Sequence, residues 1–75
     1  MESKETLLLK KLGERIKLLR NNLSFSQETL ADKAGLDRTY ISLVERGKRN
    51  PSYLTMLKIC KGLNTNISQL TKDLN

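Results

Sequence analysis

Helix start and stop signals recur through this sequence at intervals short enough to admit only small helices. Ser26 is a natural N-cap, with Phe25 before it placed to pack on Leu30, and Gly35 ends the segment that Gln27 opens. Asp37 is the next cap, with Leu36 stapling onto Ile41, and Gly47 closes that third segment. Ser52 follows the Asn50-Pro51 loop and caps a fourth. Asn64 can turn left-handed to end it, and Asn66 with Gln69 forms a capping box for a fifth. Between these marks apolar residues return every three or four positions, the spacing of an amphipathic helix. The expectation is an all-α, compact five-helix domain with helices at about 6–22, 27–34, 38–46, 53–63 and 67–74.

The first helix carries Leu8, Leu9, Leu12, Ile16, Leu19 and Leu23 on one stripe, with Lys10, Glu14 and Lys17 facing away. The fourth is expected to turn Tyr53, Met56, Leu57, Ile59, Cys60 and Leu63 inward. Leu18 and Leu54 lie off these faces, and the core pattern leaves them unexplained. The second and third helices are short and joined by about three residues at Gly35. Ala31 is small enough for a close crossing, so the pair reads as a helix-turn-helix.

Seventy-five residues read as a single domain, residues 1–75, and a chain that size buries only about 60% of the surface its unfolded form exposes. A deep substrate cleft is not expected. Fourteen Lys and Arg against eight Asp and Glu give a net charge of +6, which favours polyanionic partners. Cys60 is the only cysteine and histidine is absent, so neither an internal disulfide nor a zinc cluster is available; no metal or cofactor is expected. No apolar run approaches the roughly 20 residues that span a bilayer, and MESKETLLLKK lacks a secretory signal, so a cytoplasmic location is expected.

On the third helix, Ile41 and Val44 share the inward arc with Tyr40 at its edge. Arg38, Thr39, Ser42, Leu43 and Arg46 span the opposite side. That outer set combines a planar bidentate donor, two hydroxyls and a bare leucine, the mixture that reads guanine edges, neighbouring acceptors and thymine methyls in a major groove. A solvated face is the plainer reading, and Leu43 argues against it, because an apolar group amid a polar face gains nothing from water. Gly47, Lys48, Arg49 and Asn50 add charge and backbone amides suited to gripping phosphates, and Gln27 opens a helix whose dipole also attracts one.

Ser26 to Ser52, SQETLADKAGLDRTYISLVERGKRNPS, resembles the Cro and lambda-repressor type helix-turn-helix, the XRE-like family. Gln27, Leu30, Ala31, Gly35, Leu36, Ile41, Val44, Glu45, Gly47, Asn50 and Pro51 stand at that family's spacings. LDRTYIS followed by RN also resembles the controller proteins of restriction-modification systems. The resemblance implies a lambda-repressor-like fold and a sequence-specific transcriptional regulator that binds a double-stranded DNA operator. Arg38, Thr39 and Ser42 would then meet bases, and Gln27, Tyr40, Arg49 and Asn50 would hold the backbone; the outer-face reading itself adds Leu43 to the base contacts and Ser26, Arg46 and Lys48 to the backbone contacts. Tyr40 and Ser42 each stand open to either role. Arg20 and Glu45 would form a buried ion pair between the first and third helices. Controller proteins often have glycine where this chain has Leu43.

One such module contacts few base pairs, so a homodimer on a palindromic operator is expected, its recognition helices about 34 Å apart. Leu54, Leu63, Ile67, Leu70 and Leu74 are the candidate interface; the alternative is that the fifth helix caps the monomer's own core. An enzyme is disfavoured, since Glu14, Glu28, Asp32 and Glu45 are scattered among basic residues with no paired geometry. An antitoxin of the same fold is the rival from another class, weakened by how little chain remains outside the helices.

Overall fold

The computed structural model describes residues 2–75. Five helices follow one another: α1 (Lys4–Asn22), α2 (Gln27–Ala34), α3 (Arg38–Glu45), α4 (Tyr53–Gly62) and α5 (Ile67–Leu70). Helix α1 starts two residues earlier than the apolar stripe suggests, because the Ser3 hydroxyl accepts the Thr6 amide at 3.1 Å. Ser26, Ser52 and Asn66 cap α2, α4 and α5 through the amides of Thr29, Thr55 and Gln69. Asp37 holds the N-cap position of α3 with extended backbone, yet its side chain accepts no capping bond.

Four helix ends close the same way. The residue at left-handed φ is Ser24, Gly35, Gly47 or Asn64, and the amide after it reaches back five residues. These bonds run from Phe25 to the Arg20 carbonyl, Leu36 to Ala31, Lys48 to Leu43 and Thr65 to Cys60, at 2.8–3.1 Å. Gly47 is doubly required, since its φ is +73° and a Cβ there would sit 2.7 Å from the Lys10 side chain.

The core is one cluster in which Ile16, Leu30, Ile41, Ile59 and Leu70 are fully enclosed, joined by Leu12, Ala31, Val44, Cys60 and Leu63. Helix α4 docks on α2 through a narrower arc than the sequence pattern suggests. Met56 packs at its edge, while Tyr53 and Leu57 face outward. Leu23, placed on the α1 stripe by spacing, is also exposed, because the helix ends there.

Helix α5 is one turn rather than two. Arg15 on α1 explains the stop: Nη1 donates to the Gln69 and Leu70 carbonyls at 3.3 Å, and Nη2 to that of Lys72 at 2.9 Å. The Gln69 and Leu70 carbonyls take a guanidinium where a helix continuing to Leu74 would supply the Asp73 and Leu74 amides. The segment beyond Leu70 turns at Asp73, φ 59°, and lays Leu74 against the core.

Candidate nucleic-acid interface

Helices α1 and α3 touch backbone to backbone. A Cβ on Gly13 would overlap the carbonyl oxygens of Val44 and Glu45, so only glycine lets α1 approach this closely. Two turns along α1 from that contact, Arg20 meets Glu45. Nε donates to Oε2 at 2.7 Å and Nη2 to Oε1 at 3.0 Å, a fork-to-fork pair whose side chains are 9% and 2% exposed. Arg20 Nη1 also donates to the Phe25 carbonyl at 2.7 Å, fixing the α1–α2 loop. Glu45 Oε1 accepts from Gln27 Nε2 at 3.1 Å. One carboxylate therefore binds α1, α2 and α3 together, and among the described residues no buried side-chain nitrogen or oxygen lacks a partner.

This frame holds α3 by its inner face, where Ile41, Val44 and Glu45 are buried. Its outer face is free. Arg38 and Thr39 are exposed, Ser42 and Leu43 are half-buried, and among the described residues no hydrogen bond or ion pair ties these four side chains elsewhere. The loop after α3 brings Lys48, Arg49 and Asn50 to the surface beside them.

Other residues read as DNA contacts are partly committed within the subunit. Arg46 Nε leans back to the Ser42 carbonyl at 3.3 Å. The Ser26 hydroxyl accepts the Thr29 amide and donates to the Thr29 hydroxyl, both at 2.9 Å, and its carbonyl accepts the Leu30 amide at 3.1 Å, which leaves the backbone amide as its donor toward solvent. Tyr40 rests its ring against the core. Gln27 is half-buried at the first turn of α2 and keeps one amide proton beyond its bond to Glu45. The loop before α2 is further pinned by Lys33, whose Nζ lies 5.1 Å from the centre of the Phe25 ring.

Two residues of the expected interface between copies are spent inside their own subunit, Leu63 at 3% and Leu70 at 0% exposure. Ile67 and Leu74 are half-buried against the same core, and Leu54 stands out at 68%. The pattern of apolar spacing identifies such residues without saying which surface covers them. Tyr53 and Leu57, read as inward, join Leu54 on the open side of α4.

A family profile described as helix-turn-helix matches residues 16–70. The chain belongs to that family. Among its relatives, the control protein C.SmaI of Serratia marcescens is 44% identical over 59 residues, which cover 79% of this chain and 70% of that one. The crystal structure of the restriction-modification controller protein C.AhdI from Aeromonas hydrophila is similar at a TM-score of 0.81 and 45% identity, covering 83% of this chain and 94% of that one. A tetramer of the controller protein C.Esp1396I, solved in complex with its natural 35 base-pair operator, gives 0.84 and 40% over 97% and 92%. The helix-turn-helix match spans α2 through α5 and most of the second half of α1, so the Arg20–Glu45 frame lies wholly inside it.

Proposed function

We infer that this helix-turn-helix protein is a sequence-specific regulator of transcription that occupies a double-stranded DNA operator as a homodimer and controls a restriction-modification system. The observation that carries the reading is the outer face of α3, where the side chains of Arg38, Thr39 and Ser42 make no hydrogen bond or ion pair among the described residues and the helix is held from behind by a buried clamp. Its similarity to a controller protein crystallised on its own operator supplies the partner. In this reading the whole of 1–75 acts as one domain. Arg38, Thr39, Ser42 and Leu43 meet base edges, with Arg38 the natural bidentate reader of guanine. Lys48, Arg49 and Asn50 hold phosphates, joined by Gln27, the backbone at Ser26, and Tyr40 and Arg46 at the rim.

The copies meet through α4 and the C-terminal segment, where Tyr53, Leu54 and Leu57 leave apolar surface open. A groove between α1 and α4, lined by Leu8, Leu9, Met56 and Leu74, extends it. Regulation follows from occupancy alone, with no chemistry performed on the DNA. Among the described residues no helix is long and apolar enough to cross a membrane, in keeping with a protein that works on DNA in the cytoplasm.

Selection of bound sequences from a random duplex pool tests the reading. A palindrome whose half-sites are centred about one helical turn apart, roughly 34 Å, is the expected output. An unenriched pool would refute both the sequence-specific and the dimeric reading.

A further inference from the structure

We propose that Leu43 is a specificity-determining residue that recognises the C5-methyl group of a pyrimidine in the major groove; the assignment rests on the DNA-binding reading above. Leu43 lies on the outer arc of α3, one turn from Thr39 on one side and from Arg46 on the other, with Ser42 beside it. It is absent from the half-buried side chains that pack on the core, which are Leu19, Leu36, Tyr40, Met56, Ile67 and Leu74. Its carbonyl accepts the Lys48 amide at 2.8 Å in the helix-ending turn, which fixes where its backbone stands. The side chain is half-buried, and the part of the isobutyl group left open is an apolar spot set among Thr39, Ser42 and Arg46.

An isobutyl group offers no hydrogen bond, so the donors and acceptors on guanine, adenine and cytosine edges give it nothing to read. Against such edges it would leave polar atoms unpaired. The one apolar group on a major-groove base edge is the methyl at pyrimidine C5, carried by thymine. Cytosine methylated at the same ring position presents the same group. Glycine at this site has no side chain with which to make that contact, so leucine adds a preference that the bare backbone lacks.

The test is a cycle between one side chain and one methyl group. On the operator recovered from the selected pool, each thymidine is replaced in turn by deoxyuridine, which removes only the C5-methyl, and each cytidine by 5-methylcytidine. Binding is measured by competition for the wild-type protein, Leu43→Ala and Leu43→Met. At one position per half-site the wild type should lose about fourfold on deoxyuridine, equivalent to ~0.8 kcal/mol for one buried methyl-sized group at 1.4 kcal/mol per tenfold. Leu43→Ala should be indifferent to the same change, and Leu43→Met should retain the discrimination. A gain of that size on 5-methylcytidine, again dependent on Leu43, would place the methyl on cytosine instead.

Thermal melts should show Leu43→Ala folded, since the side chain lies outside the core. Equal losses on deoxyuridine for wild type and Leu43→Ala at every position, with no Leu43-dependent gain on 5-methylcytidine, would overturn the assignment while leaving DNA binding intact. So would uniform weakening of Leu43→Ala on operator and random duplex, which marks contact with sugar. A wild type that selects no operator would overturn this assignment together with the DNA-binding reading.

Discussion

Replacing Gly13 by alanine sets a local gain against a tertiary loss. In an isolated helix the change is favourable by about 1 kcal/mol, because alanine costs less backbone entropy. In this fold the new methyl would meet the carbonyl oxygens of Val44 and Glu45 and lie 2.7 Å from the Glu45 carbonyl carbon. Overpacking typically costs about 1–3 kcal/mol when side chains can rotate away, and backbone atoms cannot. Relief requires α1 to withdraw from α3. A gap of about 0.5–1 Å forfeits a quarter to a half of each dispersion contact across it. The same withdrawal lengthens the Arg20–Glu45 bonds, now 2.7 and 3.0 Å.

These terms together leave Gly13→Ala destabilised by about 2 kcal/mol net, near the top of the ordinary overpacking range less the helix gain. For a domain of this size that lowers Tm by about 8–16 °C. Circular dichroism melts give the shift directly, and urea titrations should show a lower midpoint at unchanged slope. A peptide spanning α1 alone should become more helical with the same substitution. A variant melting at or above the wild-type temperature would refute the close-approach reasoning.

Three further outcomes follow from the same geometry. Arg20→Met should strand the Glu45 carboxylate and cost up to about 3–5 kcal/mol in urea denaturation, whereas the double change Arg20→Met, Glu45→Met should recover a substantial part of it. If the two recover nothing together, the pair is not the clamp described here. Arg38→Ala should lose about 1–3 kcal/mol at a single base and relax selectivity there, while Arg49→Ala should weaken all duplexes alike and lower the log-log salt slope by about one. Burial pushes the Cys60 thiol above its ordinary range. The unfolded chain therefore ionises first as pH rises: stability is full below the usual thiol range and falls above it, a loss that Cys60→Ala should lack in denaturation curves at increasing pH.

The parts of the fold legible in the sequence are those with local causes. Gly35, Gly47 and Asn64 mark helix ends because few residues tolerate left-handed backbone, and Ser26, Ser52 and Asn66 mark starts because their side chains reach amides within one turn. Ser24 ends α1 by the same device, yet serine at positive φ carries no comparable signal. Asp37 has the right residue type and backbone but makes no capping bond, which residue type and spacing do not determine. The early end of α5 depends on Arg15, from the opposite end of the chain, and so has no local mark.

At the interface the periodicity separates outer from inner residues on α3, because eight residues of helix suffice to define two faces. It cannot say what covers an apolar residue, and so Leu63 and Leu70 read as surface for a partner when they belong to the core. Gly13 is least legible of all. A glycine inside a helical pattern looks like a weakness, and only the backbone of α3 behind it gives the reason. The bond from Gln27 to Glu45 likewise joins two residues that the sequence assigns to separate tasks.

Because, among the described residues, no hydrogen bond or ion pair ties the side chains of Arg38, Thr39, Ser42 and Leu43 to the rest of the subunit, exchanging them leaves the globule's own polar bonds intact. On the proposed reading of these four as base contacts, single substitutions among them would re-aim the protein at a new operator, each intermediate still folding. Changes behind the helix, at Gly13, Arg20 or Glu45, have no such freedom, which separates the residues that would set DNA preference from those that hold the shape presenting it.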